Sequence, residues 1–269
     1  MESPQKSYSI ISWNINGYND DIHLWLKQLI TTTRPDIVFL SETKKKYDDL
    51  TSKFSEFTEY NTIINCHEPS RWHGVAMLIR KDHAYTHIGI TMNIAVRSDN
   101  KSIVAEAATG RIITIMLNNQ IYIIGSYTPN SGTNLDYRAK IWDPAFVNLL
   151  EILRSTAPTM WIGDINVALD NIDVSNPKTM CNYAGFTAPE RKNFRDLLTT
   201  DNWIDIWRYQ NPDGIAYTWC GYPRRLNHGL RLDNVIISKS LLPNTLNAFI
   251  MEECAQSTDH LPVGVYIAM

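Results

Sequence analysis

A carboxylate and an amide follow one short apolar stretch at alternate positions. Residues 160–162 (Met-Trp-Ile) are typical of a buried strand, and after Gly163 come Asp164 and Asn166. Alternate residues of an extended chain point to the same side, so both side chains are expected to face one direction at the strand end. Gly, Asp and Asn are also common in turns, and taken alone this stretch is better explained as a turn.

Polar residues recur at the rims of other apolar stretches, and this changes the interpretation. Each could be a turn residue, a cap or part of a structural ion pair, but it is much less expected that all of them are. The positions are Asn14 and Asn16, Glu42, Tyr127 and Asn130, Asp164 and Asn166, and Asp259 with His260. Asp233 lies inside the apolar stretch 231–238, where an acid requires a partner.

These residue types suit the metal-assisted hydrolysis of a phosphodiester. Glu42, Asp259 and Asn16 offer hard oxygen ligands for Mg²⁺, which prefers few carboxylates and several waters. The chain has no GxSxG elbow, no Walker loop and no Cys–His nucleophile pair. These absences argue against the common nucleophilic and nucleotide-binding sites.

The remaining polar residues fit the other roles of such a reaction. Asp164 could hold and deprotonate a water molecule, with Asn166 beside it. Asp233 could orient the imidazole of His260, whose protonated form could neutralise a phosphate oxygen.

The elements that must position these residues are mostly strands. Strands are predicted at 8–13, 36–41, 60–66, 74–81, 102–108, 111–117, 120–127, 160–162, 215–220, 231–238 and 261–267, with a tight turn at 118–119. Helices are predicted from about residue 20 to just before Pro35, from Asp143 as cap with Pro144 at the first position, and near 188–199. Strands grouped with few helices favour two packed sheets with helices outside.

Length and composition indicate a single domain spanning residues 1–269, with 44% hydrophobic and 20% charged residues. The net charge of −3 provides no overall basic field, so a nucleic acid would have to be held by a local basic face. The four cysteines form no CxxC pair, which is typical of reduced thiols. Without a leader or a long apolar stretch, we expect an intracellular protein that is neither secreted nor inserted in a membrane.

Several longer motifs match one known family. They are SWNING (12–17), LSETK (40–44), YTPNSG (127–132), GDINVA (163–168), IDVSNPK (172–178), AGFTAPER (184–191), RLD (231–233) and STDH (257–260). Through these motifs the chain resembles the exonuclease III-type apurinic/apyrimidinic (AP) endonucleases, nearly from end to end. The Glu, GDxN and DH elements are shared across the wider endonuclease/exonuclease/phosphatase superfamily, whereas YxPNSG, NPK, AGFTxxER and RLD are much more specific to the AP-endonuclease branch.

The resemblance implies an α/β fold, a DNase I-like four-layer α/β/β/α sandwich of two mixed β-sheets flanked by helices. It implies Mg²⁺-dependent cleavage of duplex DNA on the 5′ side of an abasic site, which leaves a 3′-hydroxyl. Further 3′→5′ exonuclease or 3′-end-cleaning activity is expected, Mn²⁺ is expected to substitute for Mg²⁺, and the protein is expected to be a monomer.

The resemblance also implies a role for each matching residue. The catalytic residues would be Tyr127, Asp164, Asn166, Asp233 and His260, the metal ligands Glu42, Asn16 and Asp259, and the substrate-binding residues Asn14, Asn130, Arg138, Trp219, Arg224, Arg225, Leu230 and Leu232. In these roles Tyr127, Asn14 and Asn130 complete the phosphate cradle. Trp219, Leu230 and Leu232 form the pocket for the abasic sugar, although Trp219 equally suits a core strand.

Three departures from the family pattern limit what carries over. Asn16 stands where some members have Asp, which removes a charge near the metal. Leu230 stands where some have a large aromatic residue, so the pocket is expected to be wider or less selective. Ile11 replaces the cysteine tied to redox activity in some animal members, and their basic N-terminal tail is absent. We therefore expect neither nuclear targeting nor that redox function to carry over.

Two alternatives remain open. One is a less selective DNase or phosphoesterase on the same scaffold, and the other is a catalytically silent nucleic-acid-binding protein. The motifs at 127–132 and 176–191 argue against a phosphatase, and the complete catalytic set argues against a silent site.

Any DNA must be held by cations that the loops bring to the site. The candidates are Lys44, Lys45, Lys46, Arg71, His73, Tyr137-Arg138 and Arg224-Arg225.

Overall fold

The computed structural model describes residues 6–67, 72–89, 110–132, 134–221, 228–254 and 258–269. Within these ranges the chain forms two sheets of six strands each. The strands are β1 (Ser7–Asn14), β2 (Ile37–Ser41), β3 (Tyr60–Asn65), β4 (Val75–Arg80), β5 (Tyr85–Ile88), β6 (Ile112–Leu117), β7 (Ile121–Tyr127), β8 (Thr159–Asp164), β9 (Trp203–Asp205), β10 (Asp233–Ser238), β11 (Thr245–Ile250) and β12 (Val263–Ala268).

Both sheets are mixed. The first has the order β11-β12-β1-β2-β4-β3 and the second the order β5-β6-β7-β8-β10-β9. The parallel pairs are β1 with β2 and β7 with β8, and the other pairs are antiparallel. Each parallel pair brings two carboxyl ends to the same edge of its sheet, which is the edge where the sequence places polar residues.

The longer helices lie on the outer faces of the two sheets, and the shorter ones lie in the connections between strands. They are α1 (Asp20–Thr33), α2 (Tyr47–Phe54), α3 (Leu135–Tyr137), a π-helix (Arg138–Trp142), α4 (Asp143–Arg154), α5 (Pro177–Met180), α6 (Ala188–Thr199) and α7 (Ile206–Gln210), with 3₁₀-helices at Asn171–Asp173, Lys239–Asn244 and Glu252–Cys254. No helix in the described ranges is both long enough and apolar enough to span a lipid bilayer.

Alternation of side chains along the strands builds three apolar layers. Phe39 and Ile162 lie in the layer between the sheets. Leu26 of α1 packs on the outer face of the first sheet, and Phe146 of α4 packs with Trp161 on the outer face of the second. The predicted four-layer α/β/β/α sandwich is confirmed.

Local signals explain the ends of α1. Asn19 caps the helix by accepting a hydrogen bond from the Ile22 backbone N–H at 2.8 Å. The helix ends at Arg34, which is left-handed (φ 42°), directly before Pro35. The predicted bounds of this helix are confirmed.

Other sequence predictions were wrong. Residues 215–220 are not a strand. Trp219 makes isolated bridges with Leu230 and with His260, because it pairs with single residues of two loops and not with a neighbouring strand. Asp143 is not a helix cap, since the chain is already helical from Leu135 through the π-helix. The prediction of a strand at 102–108 falls outside the described ranges.

Candidate active site

The predicted polar residues converge where strands of both sheets end. Asn14 ends β1, Glu42 follows β2, Tyr127 ends β7, Asp164 ends β8, Asp233 begins β10 and His260 precedes β12. Within the second sheet, Tyr127 pairs with Asp164 in parallel register, and Asp164 pairs with Asp233 in antiparallel register. Three site residues therefore lie side by side on adjacent strands.

The backbone departs from strand geometry just at this edge. Asn16, Glu42 and Asn166 all have left-handed conformations, with φ of 46°, 54° and 53°, which is uncommon for residues other than glycine. Gly163 has φ 143°, and a Cβ there would lie 2.0 Å from the Ser126 carbonyl oxygen. Only glycine fits at position 163, and it allows β8 to deliver Asp164 beside β7.

Asn14 joins the two sheets beneath the site. Its Nδ2 donates to Glu42 Oε1 and to Asp164 Oδ2, each at 2.8 Å, and its Oδ1 accepts from the Asn16 backbone N–H at 3.0 Å. Asn14 is fully buried and both amide hydrogens are used. In this structure Asn14 orients two carboxylates, and its expected contact with phosphate stays a prediction.

Asp233, His260 and Asp164 form a line of hydrogen-bonding groups. His260 Nδ1 lies 2.8 Å from Asp233 Oδ2, and His260 Nε2 lies 4.0 Å from Asp164 Oδ2. Asp164 Oδ1 accepts from the Asn166 backbone N–H at 2.9 Å. The predicted orientation of His260 by Asp233 is present, and Nε2 is left facing Asp164.

Burial and neighbouring charges strongly shift the pKa values of Asp164 and His260. Burial, then the charge of Asp233, raises the pKa of Asp164 to about 8. Burial lowers the pKa of His260, but Asp233 and Asp164 outweigh it and raise the value to about 10. Both groups therefore hold a proton more tightly than usual, because too few positive charges face the carboxylates.

Glu42 occupies the position expected of a metal ligand. Burial raises its pKa, but hydrogen bonds from Lys44 and Asn14 outweigh this and hold the value below its usual range. Lys44 Nζ lies 2.7 Å from Glu42 Oε2 and 2.5 Å from Asn16 Oδ1. Lys44, expected to contact DNA, here neutralises Glu42.

The donor set fits a divalent cation. Glu42, Asp164 and His260 each present a possible ligand atom, and these atoms lie within 4.8 Å of one another. Asp259 joins the same edge, since its Oδ1 accepts from Asn16 Nδ2 at 3.0 Å. Most of these donors are hard oxygens, which suit Mg²⁺ or Mn²⁺ better than softer metals.

Tyr127 and Asn130 line the same cleft as Glu42 and Asp164. Burial, then the negative charge of Glu42, raises the pKa of Tyr127 well above its usual value, so the hydroxyl stays protonated. The guanidinium of Arg111 lies over the Tyr127 ring at 5.0 Å. Asn130 Nδ2 donates to Asn166 Oδ1 at 3.3 Å.

These residues line a cleft of about 320 Å³. The lining is completed by Tyr183, Ala184, Trp219 and Leu232, which we call the apolar wall. Trp219 Nε1 donates to Asp259 Oδ2 at 3.1 Å. The placement of Trp219 and Leu232 in the pocket agrees with the prediction.

Leu230 does not line this cleft. It is 1% exposed and packs with Val174 and Phe186 in a small apolar cluster. Its assignment to the sugar pocket is therefore wrong, because its backbone pairs with Trp219 and directs the side chain into the core.

Arg138 is likewise not a surface cation. It is 2% exposed and its guanidinium bonds Asp143 and backbone carbonyls, so the expected contact with substrate is wrong. Lys45 and Lys46 are exposed. Arg71, Arg224 and Arg225 lie outside the described ranges, and their predicted DNA contacts stay predictions.

Sequence reasoning missed Thr218 and Tyr183. The Thr218 hydroxyl accepts from the backbone N–H groups of Leu232 and Asp233, both at 2.9 Å, and so fixes the start of β10. A threonine in a β-rich stretch carries no sign of this role. Tyr183 directly precedes the motif at 184–191, and that position was its only signal.

Known proteins are similar to this chain in sequence and in architecture. Residues 11–260 match the endonuclease/exonuclease/phosphatase family. The chain is 33% identical to the DNA-(apurinic or apyrimidinic site) endonuclease of Dictyostelium discoideum, over 98% of this chain and 71% of that protein. It is 30% identical to an exodeoxyribonuclease of Bacillus subtilis, over 96% of this chain and 98% of that protein.

A solved structure is similar over almost the whole chain. The AP endonuclease LMAP from Leishmania major superposes with a TM-score of 0.82 at 25% sequence identity, covering 99% of this chain and 89% of that one.

Proposed function

The chain belongs to the endonuclease/exonuclease/phosphatase family and, within it, to the exonuclease III-type AP endonucleases, and from this membership we propose its reaction. It hydrolyses the phosphodiester on the 5′ side of an abasic site in duplex DNA, with Mg²⁺, and leaves a 3′-hydroxyl end. The observation that carries the proposal is the pairing of Asp164 with His260, 4.0 Å apart, in one cleft with the apolar wall at Trp219 and Leu232.

Asp164 is the general base of the proposed reaction. Its carboxylate is held by Asn14 and by the Asn166 backbone, so one geometry is presented to a water molecule in the cleft. Its pKa is raised to about 8, so the ionised form is a stronger base than an ordinary aspartate, and a cation held beside it would favour that ionised form near neutral pH.

His260 and Tyr127 stabilise the phosphate in the proposed reaction. The raised pKa of His260 keeps the ring protonated, so Nε2–H can donate to a non-bridging oxygen as negative charge develops. The Tyr127 hydroxyl also stays protonated and can donate to the phosphate. Asp233 holds the ring of His260 through Nδ1 and does not touch the substrate.

Glu42, Asp259 and Asn16 are the residues that would hold Mg²⁺, with Mn²⁺ as a substitute. A divalent cation held there supplies positive charge for the phosphate and for the ionised carboxylates. Lys44 must release Glu42 for this to occur, and its ammonium group is then free for a phosphate oxygen.

The apolar wall provides selectivity for an abasic site. A deoxyribose without a base can enter a cleft of about 320 Å³ and pack against Trp219 and Leu232. A normal nucleotide would first have to unstack, which costs a few kcal/mol. The wall therefore favours damaged over intact DNA.

One assay separates this proposal from the alternatives. The purified protein is given an abasic duplex, an intact duplex with a recessed 3′ end, and an inositol phosphate, each with Mg²⁺ and with EDTA. We expect incision of the abasic duplex above the other two reactions, and only with the metal. Preference for the intact duplex would indicate an exonuclease, preference for the inositol phosphate a phosphatase, and no turnover a silent binding protein.

A second comparison tests the pocket wall. Trp219→Ala should reduce the preference for abasic over intact DNA, since it removes the largest apolar surface of the cleft. Tyr209→Ala removes an exposed aromatic side chain that does not line the cleft, and it should leave the preference unchanged. Equal preference in wild type and Trp219→Ala would show that the apolar wall does not provide the selectivity for abasic DNA.

A further inference from the structure

Arg138 connects two loops that carry site residues. Its Nη1 donates to the Pro129 carbonyl at 2.8 Å, and its Nη2 donates to the Ile165 carbonyl at 2.9 Å. Nη1 also lies 3.3 Å from the Asn166 carbonyl oxygen. One guanidinium thus holds the backbone next to Asn130 and at Asn166.

These loops follow β7 and β8, the parallel pair of the second sheet. The pairing of β7 with β8 ends at Tyr127 and Asp164. Beyond these residues the sheet no longer sets the distance between the two segments. The amides of Asn130 and Asn166 nevertheless meet at 3.3 Å. The two loops also meet directly, since Asn166 Nδ2 donates to the Thr128 carbonyl at 2.8 Å. The guanidinium adds a bond to the backbone of each loop further from the strand ends, at Pro129 and at Ile165.

The π-helix makes this arrangement possible. In an α-helix, residues five apart lie about 140° apart around the axis and cannot face each other. In the wider π-turn the Asp143 backbone N–H bonds the Arg138 carbonyl, and Asp143 Oδ1 accepts from Arg138 Nε at 2.6 Å. Asn193 of α6 donates to Asp143 Oδ2 at 3.1 Å. The Asp143 carboxylate is held in place by these bonds, so it orients the Arg138 guanidinium toward the two loops.

Resting on the function proposed above, we infer that Arg138 is a positioning residue for phosphodiester cleavage. Its guanidinium sets the spacing of the loops at 129–130 and 165–166, and through them the place of Asn130, Asn166 and the base Asp164. It does not touch the substrate, because its N–H groups point to protein oxygens and it does not line the cleft.

Arg208 provides a matched control. Its guanidinium also bonds three backbone carbonyls, of Asn211, Pro212 and Gly214, at 2.7 to 3.1 Å, together with one carboxylate, that of Asp173, at 2.6 Å. The loop it holds does not line the cleft. Loss of a multiply bonded guanidinium can therefore be compared with and without a connection to the site.

The test is the steady-state kinetics of Arg138→Lys and Arg208→Lys on an abasic duplex with Mg²⁺. Lysine keeps the charge, but one ammonium cannot bridge both loops as a planar fork does. We expect kcat of Arg138→Lys to fall about 100-fold, as for a misplacement of about 1 Å, with KM changed less than about threefold. Both variants should lose similar thermal stability, and Arg208→Lys should keep its kcat.

A second variant and a chemical rescue guard against a variant that fails to fold. Asp143→Asn keeps the guanidinium but loosens its aim, and kcat should fall about tenfold. Added methylguanidine should restore kcat of Arg138→Ala but not of Asp164→Asn. A kcat near wild type in Arg138→Lys, a loss in KM alone, or an equal loss in Arg208→Lys would each overturn the inference.

Failure of the proposed function would look different. A wild-type protein without incision activity would refute that function and not the positioning role. The role would then be measured by the side-chain amide NMR signals of Asn130 and Asn166. These should shift in Arg138→Lys and not in Arg208→Lys, and unshifted signals in Arg138→Lys would overturn the inference.

Discussion

Two buried aspartates of this protein have pKa values shifted in opposite directions. Burial and the charge of Asp233 raise the pKa of Asp164 to about 8. Burial also raises the pKa of Asp173, but Arg231 and Arg208 outweigh it and hold the value below its usual range. The two side chains are almost equally buried, so the charges around them decide the difference.

Asp173 belongs to a balanced group that we call the Arg231 cluster: Asp173, Asp205, Arg208 and Arg231. Arg231 donates to Asp173 Oδ1 and to Asp205 Oδ2, both at 2.7 Å, and Arg208 donates to Asp173 Oδ1 at 2.6 Å. Two negative charges meet two positive charges. Such a cluster is strongly destabilised when one member is lost.

The cleft cluster, which we define as Glu42, Asp164, Asp233 and His260, is not balanced. Lys44 neutralises Glu42, but the carboxyl groups of Asp164 and Asp233 share one imidazole, and Asp233 Oδ1 has no hydrogen-bond partner in the described part of the protein. An arrangement with this excess of negative charge is poor for stability but suited to hold a cation and move a proton. Under the proposed function, the Arg231 cluster supports the fold and the cleft cluster performs the chemistry.

A large effect on catalysis is expected from Asp233→Asn. The imidazole of His260 loses the carboxylate that orients and charges it, so single-turnover incision should fall about 10²- to 10⁴-fold. Stability should change less than in any variant of the Arg231 cluster. Incision near the wild-type rate would show that His260 needs no partner.

Asp173→Asn should have the opposite profile. It leaves the buried Arg231 and the half-buried Arg208 with too little negative charge, so the free energy of unfolding should fall by about 3–5 kcal/mol. Incision per folded molecule should be retained. Chemical denaturation measures the loss, and Asp201→Asn, which breaks an exposed pair with Lys239, should change stability by less than about 0.5 kcal/mol. A loss no larger than in this control would contradict the account.

Mg²⁺ should stabilise the protein through its proposed ligands Glu42, Asp259 and Asn16, and not through the Arg231 cluster. At about 100 times its dissociation constant, a ligand that binds only the folded state adds about 2.7 kcal/mol. Thermal melts with and without Mg²⁺ should show this gain in wild type and in Asp173→Asn, and a smaller gain in Glu42→Gln. An equal gain in Glu42→Gln would place the metal elsewhere.

In EDTA, the free energy of unfolding should depend on pH in opposite directions through the two clusters. With the raised pKa of Asp164, the folded state binds more protons than the unfolded state between about pH 4 and 8, so its contribution falls as pH rises through that window. The raised pKa of His260 acts in the same direction at higher pH. The lowered pKa of Asp173 contributes stability that is present above about pH 4 and lost as the pH falls below it.

Denaturation curves from pH 3 to 9 measure this difference. Asp164→Asn should flatten the decline toward pH 8, and Asp173→Asn should flatten the loss at the acid end. Identical profiles in the two variants would show that the clusters do not differ in charge balance.

Much of the architecture could be predicted because local patterns and tertiary structure agree. Apolar stretches that end in polar residues marked the strands that deliver Glu42, Asp164 and His260. The cap at Asn19 and the stop at Pro35 marked α1. Conversely, β11 was missed because Thr245 and Asn247 interrupt its apolar residues (TLNAFI), and only one of its six residues is buried.

The roles of Asn14, Arg138 and Leu230 could not be predicted from local patterns. A cation after the motif at 127–132 has the same sequence signal whether it faces DNA or the core. The direction of Arg138 depends on the π-turn and on α6, and that of Leu230 on its pairing with Trp219. The motif identified which residues surround the site, but packing between distant segments determined what each one touches.

The most direct test of the account is Asp164→Asn, measured for activity and stability together. The substitution keeps the shape, removes the base and relieves the repulsion from Asp233. Single-turnover incision of an abasic duplex should fall by at least about 10²- to 10⁴-fold, with little change in DNA affinity, while the melting temperature in EDTA rises. Incision near the wild-type rate, or a melting temperature that falls together with activity, would contradict the claim that this buried carboxylate is kept for chemistry at the expense of stability.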